Sequence, residues 1–166
     1  MVDLIKNFYY YDVIYHYPCI DGAYSCFLLN KYFKYINLIN NNINYYGLKS
    51  SNNIKETLIK IIKNNTINIL KIFLNDINLY HTIYIVDKGI SLEEIKLLFD
   101  IEKLYCIELE NTHTLQIVDN NIKKHNIKFN ITINIIDHHI TTINSLDEYL
   151  LNIKDNLEKK GNRFNI

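Results

Sequence analysis

The chain of 166 residues has no tryptophan, one proline, one methionine and four glycines. So little glycine and proline excludes a collagen-like repeat and a Pro/Gly-rich disordered chain. Cysteine is scarce too. Cys19, Cys26 and Cys106 form an odd set without metal-finger spacing, which excludes a disulfide framework and predicts reduced thiols in a reducing compartment. Excess charge of either sign is missing, with 18 basic residues against 18 acidic ones. A neutral chain has no bulk positive field to steer it onto long DNA or RNA, whereas a small phosphorylated ligand remains compatible. No run approaches the roughly 20 apolar residues that span a bilayer. The stretch from Met1 to Phe8 also lacks the basic region, apolar run and cleavage site of a secretory signal. The expectation is an intracellular protein, cytoplasmic by default, with organelle import left open and no membrane partner.

What is present is ordinary for a folded globular protein: 48% hydrophobic and 22% charged residues, and a length close to one typical domain. The 31 Ile, 25 Asn, 17 Lys and 14 Tyr suit AT-biased coding, so the frequency of Asn and Lys is not a functional signal. No fixed repeat appears, and no Gly/Ser/Pro linker divides the chain. One domain is expected over residues 1–157, followed by a polar tail over 158–166.

Hydrophobic patterning alternates strands with helices. Phe8 to Tyr15 reads as a strand, His16 to Gly22 as a polar loop, and Ala23 to Phe33 as a helix. Ile43 to Gly47 is a short second strand. Asn53 then caps a long helical stretch from Ile54 to about Asp76, with an interruption expected near Asn64-Asn65. His81 to Val86 is an apolar strand ending on Asp87, and Ser91-Leu-Glu-Glu94 is a capping box that opens a helix. Residues 104–126 are expected to be an insertion, in which Tyr105 to Leu109 fits a strand and Leu115 to Lys124 a helix. Ile127 to Ile136 alternates as a buried strand running into Asp137-His-His139, and Ser145-Leu-Asp-Glu148 is a second capping box that opens the last helix. His81, His113 and His125 receive no role and are expected at the surface or at strand starts, while Cys26 and Cys106 are expected in the core.

This alternation predicts an α/β fold with a mostly parallel sheet covered by helices on both faces. In such sheets ligands gather outside the carboxyl ends of the strands. Three strand ends carry the polar clusters: His16, Cys19 and Asp21; Asp87; and Asp137, His138 and His139. Taken singly, each has a plain reading. His16 can end a strand in a turn, Cys19 can be a buried small residue, and Asp21-Gly22 and Asp87 are ordinary turn signals. Their joint placement is the functional signal. Carboxylates and imidazoles from separate strand tips suit a divalent ion such as Mn2+. Two such ions sharing a carboxylate can activate water and neutralise a transferring phosphoryl group. Gly22 permits close backbone approach, and a helix starting there offers its positive end to an anion.

The stretch Ile14-Tyr-His-Tyr-Pro-Cys-Ile-Asp-Gly-Ala-Tyr-Ser25 resembles the first motif of the DHH superfamily of phosphoesterases, in the branch with His-x-x-Cys-x-Asp-Gly. Tyr84-Ile-Val-Asp87 resembles the second motif, and Ile135-Ile-Asp-His-His-Ile-Thr-Thr142 the motif that names the superfamily. Together they cover roughly residues 9–145. The resemblance implies a Rossmann-like DHH domain with a binuclear centre, commonly two Mn2+, with Mg2+, Zn2+ or Fe2+ as alternatives. It implies hydrolysis of phosphodiester bonds in short oligonucleotides, cyclic dinucleotides or related small phosphate esters. By the same resemblance His16, Cys19, Asp21, Asp87 and His138 are metal ligands, with Asp87 bridging the ions. Asp137 orients the histidine pair, and His139 faces the substrate phosphate or protonates the leaving group. The nucleophile is water activated by the ions.

The chain departs from the family pattern in three places. Cys19 stands where many members have a carboxylate, and a softer thiolate favours zinc or iron over manganese. The stretch from Asp87 to Asp137 is longer than the family's, hence the insertion. The family also has a further ligand aspartate well after Asp-His-His and a second, substrate-gripping domain. Only 27 residues follow His139, and Asp147 and Asp155 occupy helical positions unlike that motif. The second domain is therefore expected to be absent from these 166 residues, or the missing ligand to come from an oligomer. Two other readings stand beside the enzyme. One is a truncated, non-catalytic DHH-like domain that binds nucleotide or a partner protein. The other is a small α/β partner-binding module whose motifs are coincidental.

Overall fold

The computed structural model describes residues 6–36, 38, 43–49, 53–70, 76–115 and 126–159. In chain order these form β1 (Lys6–His16), α1 (Ile20–Tyr35), β2 (Ile43–Leu48), α2 (Ile54–Leu70), β3 (Asp76–Val86), α3 (Leu92–Phe99), α4 (Ile101–Leu115), β4 (Asn126–Ile136) and α5 (Ile140–Lys159). The four strands make one all-parallel sheet in the order β2-β1-β3-β4, so the fold is α/β with a Rossmann-like arrangement. No helix is long and apolar enough to cross a membrane, among the described residues.

The strand order dictates where the helices lie. From β1 the chain steps outward to β2, then returns past β1 to β3 and on to β4. Right-handed crossovers that travel in opposite directions must lie on opposite faces of the sheet. Accordingly α1 packs Leu29 and Phe33 on Val13 and Val86 on one face. The opposite face carries Ile14, Leu79, Ile83 and Ile85 under the apolar stripes of α2, α3 and α4. On that same face α5 adds Leu146 and Tyr149, the latter stacked on Phe99 with ring centroids 4.6 Å apart.

Several boundaries differ from the sequence expectation. α2 runs without a break through Asn64-Asn65, because Ile54, Leu58, Ile61, Ile62, Asn65, Thr66 and Ile69 share one buried stripe of helical period. The buried Asn65 amide is paired, donating to the Tyr105 hydroxyl at 3.0 Å. Tyr105 to Leu109 is helix rather than strand, since Ile101, Tyr105 and Leu109 are buried at intervals of four. The helix expected over Leu115 to Lys124 lies outside the described residues apart from Leu115. β3 starts at Asp76, five residues before His81, because its whole length is paired with β4 and all but its first residue with β1. α5 begins at Ile140, so Ser145 sits inside it and caps nothing. Its first turn is closed earlier, by Thr142 and Ile143 amides donating to the His139 carbonyl. The capping box at Ser91 is formed as read, with reciprocal Ser91 and Glu94 bonds. Cys106 is exposed rather than in the core, whereas Cys26 is half-buried against the α1 cluster.

His81 differs most from its expected place. It lies in the middle of β3 with no exposed surface, its Nε2 2.7 Å from Asp12 Oδ2 and its Nδ1 2.8 Å from the Tyr105 hydroxyl. Asn44 also donates to Asp12, at 2.9 Å. The chain of donors from Asn65 through Tyr105 and His81 to Asp12 ties α2 and α4 to the centre of the sheet. Burial, with the Asp12 carboxylate beside them, pushes the Tyr10 and Tyr46 hydroxyls up to about 12. The side chains of His113 and His125 lie outside the described residues.

Candidate metal centre

β1 and β3 are neighbours whose following helices leave on opposite faces, which opens a crevice at their carboxyl ends. His16 ends β1, and Cys19 is the N-cap of α1 in extended backbone. Asp87 follows β3 with φ of +50° and is 4% exposed, its amide held 3.0 Å from the Ile136 carbonyl. A non-glycine residue there is unusual, although Asp and Asn adopt this left-handed region more readily than most. Asp137, His138 and His139 form the link between β4 and α5.

These strand ends come together in two groups of potential ligands. One contains His16, Cys19 and Asp87, the other Asp87, Asp137, His138 and His139, and within each group the donor atoms lie within 4.8 Å of one another. Asp87 belongs to both. Its Oδ2 is 3.5 Å from Cys19 Sγ and 3.9 Å from His16 Nδ1, while Oδ1 is 3.3 Å from His138 Nδ1. Ligands about 2.0–2.3 Å from one tetrahedral ion sit roughly 3.3–3.5 Å apart, so the Cys19 and His138 separations match shared ligation with Asp87, whereas His16 at 3.9 Å would need to move in by a few tenths of an ångström. Asp21 stands apart. It lies in the exposed first turn of α1 and belongs to neither group.

Asp137 acts on its neighbours. Its Oδ1 accepts from the His138 amide at 2.9 Å and bonds His139 Nδ1, and its Oδ2 accepts from the Thr142 hydroxyl. With Nδ1 committed in this way, His139 presents Nε2 outward. The His138 and His139 rings are stacked, with centroids 4.8 Å apart. Thr142, 2% exposed, also accepts from the Ile90 amide at 2.8 Å and thereby ties the loop after β3 to the first turn of α5. Sequence reasoning passed over Thr142; the available signal was a hydroxyl five residues after Asp137, at the end of the third motif.

Burial alone would raise the Asp137 carboxyl, but the bonds from Thr142 and His139 outweigh it and hold the group below its usual value. A carboxyl depressed in the folded state stabilises above its unfolded value of about 3.9, and that contribution disappears as pH falls through the folded value. Thr142→Val removes one of these bonds and strands the Ile90 amide. Urea unfolding across pH should therefore show a stability gap between wild type and Thr142→Val that is widest above about pH 4 and narrows below it. A gap independent of pH would refute this role for Asp137.

Gly22 sets the distance between α1 and β1. A Cβ there would lie 2.2 Å from the His16 carbonyl oxygen, a contact that neither backbone can absorb in place. Gly22→Ala should therefore cost about 1–3 kcal/mol of stability. By moving Cys19 relative to His16 it should also weaken any ion held by the His16, Cys19 and Asp87 group, as isothermal titration with Mn2+ or Zn2+ would report.

In comparisons with known proteins, no family model, curated protein or solved structure matches this chain.

Proposed function

We propose that this chain is a DHH-type phosphoesterase domain that hydrolyses phosphodiester bonds of short oligonucleotides, cyclic dinucleotides or related small phosphate esters with two divalent ions, manganese foremost. One observation carries the reading: Asp87 is the carboxylate common to two ligand groups drawn from three separate strand ends. A shared carboxylate of this kind is what a pair of ions about 3.5–4 Å apart requires. His16, Cys19 and Asp87 would hold one ion, and Asp87 with His138 the other. Bound there, the ions would supply Lewis-acid polarisation of a phosphoryl oxygen and a water acidified to near-neutral pKa.

The protein's own groups do the remaining work. Asp137 fixes the orientation of His139 through Nδ1, which leaves His139 Nε2 to bind the substrate phosphate or to protonate the leaving oxygen. Asp87, nearly buried, places its two carboxyl oxygens where the two groups meet. The placement of Asp21 outside both groups favours a second reading, a domain that holds metal and nucleotide without turnover. The deciding assay is Mn2+-dependent release of mononucleotide from a short RNA or a linear dinucleotide. Turnover should be present in wild type and lost in His138→Ala. His139→Ala should keep its metal and slow by about 10²–10⁴-fold, the usual worth of a positioned acid. Metal and nucleotide binding with no turnover would establish the second reading, and failure to bind either would reject both.

A further inference from the structure

The two groups that share Asp87 have unequal donor chemistry. The first offers imidazole, thiol and carboxylate from His16, Cys19 and Asp87; the second offers only carboxylates and imidazoles. Both oxygens of Asp137 are already engaged by Thr142, His139 and the His138 amide, and His139 Nδ1 is taken up by Asp137, which leaves Asp87 and His138 as the second group's available donors. Thiolates select zinc and iron among common divalent ions, whereas a thiol-free carboxylate and imidazole set is also open to manganese. The 3.5 Å separation of Cys19 Sγ from Asp87 Oδ2 matches the edge expected when one tetrahedral ion binds sulfur at about 2.3 Å and oxygen at about 2.0 Å.

We infer that the Cys19 group is a thiophilic site for zinc or ferrous ion, and that the protein carries a mixed pair, with the harder ion held by Asp87 and His138. This rests on the metal-site reading above and extends it to the identity of each ion. A matched pair would follow if Cys19 were only a spectator beside Asp87. The thiol's place decides against that. Cys19 opens α1 with no side-chain capping bond of its own, and its thiol donates instead to the shared carboxylate at 3.5 Å.

The test uses the metal-free 166-residue chain offered one equivalent of Zn2+ and an excess of Mn2+, with bound metals counted by elemental analysis. Wild type should retain one zinc and one manganese. With Co2+ in place of Zn2+, a thiolate-to-cobalt charge-transfer band should appear in the near ultraviolet. Cys106→Ser, which alters an exposed cysteine that belongs to neither ligand group, should keep the band and the metal ratio. Cys19→Asp should lose the band and lower the preference for zinc over manganese by tenfold or more, since even outer-shell changes at metal sites cost that much. If Cys19→Asp keeps the wild-type metal ratio, or wild type binds cobalt without the band, the mixed pair is overturned while the two-ion site survives. If neither protein binds any metal, the underlying reading fails and takes this inference with it.

Discussion

On the proposed two-ion reading, Asp87→Asn should empty both ligand groups at once, taking the metal content from two ions per chain to none and turnover down by about 10³-fold or more. Asp87 is the member the two groups share, so replacing its carboxyl would weaken ligation in both. His138→Ala, by contrast, removes a ligand from one group and should leave the Cys19 group able to hold its ion. Asparagine is the right probe because it keeps the shape of aspartate and tolerates the left-handed backbone at this position. Lewis-acid stabilisation at such a centre is worth several kcal/mol, and about 4 kcal/mol corresponds to the stated 10³. Without metal, Asp87 is a nearly buried carboxylate close to Asp137, an arrangement that serves function at the expense of stability. Metal-free Asp87→Asn should therefore unfold at or above the wild-type temperature, which separates loss of metal from loss of fold. Retention of two ions at wild-type affinity in Asp87→Asn would refute the shared-ligand role.

The second large effect lies away from the metal centre, in the middle of the sheet. His81→Leu should cost about 3–5 kcal/mol, the usual penalty for breaking one side of a buried pair. Asp12 and His81 are both without exposed surface and 2.7 Å apart. Removal of the imidazole takes one donor from the Asp12 carboxylate and leaves the Tyr105 hydroxyl without its acceptor. Against a total stability of about 5–15 kcal/mol this loss is severe. At roughly 2–4 °C per kcal/mol it lowers the unfolding temperature by about 6–20 °C. The double variant Asp12→Leu/His81→Leu should recover part of the loss, because a buried pair replaced by packed apolar groups is often nearly neutral. Metal content of folded His81→Leu should stay at the wild-type value, since His81 is six residues upstream of Asp87 along β3. A loss below about 1 kcal/mol in urea unfolding would show that the network does not clamp the fold.

The four strands, most of the helices and the three polar strand ends were legible in the chain because each depends on local order, whereas Tyr105 to Leu109 read as strand and is helix. A period of two or of about 3.6 residues is set by neighbours along the sequence, and a polar tip after a buried strand is visible wherever it occurs. That logic placed Asp87 and Asp137 to His139 at strand ends without a structure. It misplaced the start of α5 because Ser145 offers a good cap, whereas the helix opens where Thr142 and Ile143 can bond back to His139. It expected a break at Asn64-Asn65 because asparagine competes with helix in isolation. Asn65 stays helical because Tyr105, forty residues later, accepts its amide.

Sequence alone thus determined the α/β class and which residues could carry the chemistry. Only the tertiary structure decided which of them meet. The order β2-β1-β3-β4 brings the ends of β1, β3 and β4 side by side, puts Asp87 in both ligand groups and leaves Asp21 in neither. It likewise turned His81 from an unassigned histidine into the partner of Asp12, 69 residues away. The physical reason is range: periodicity and capping are local, whereas the closeness of one strand end to another is fixed by the hand and order of the crossovers, which no short stretch of sequence contains.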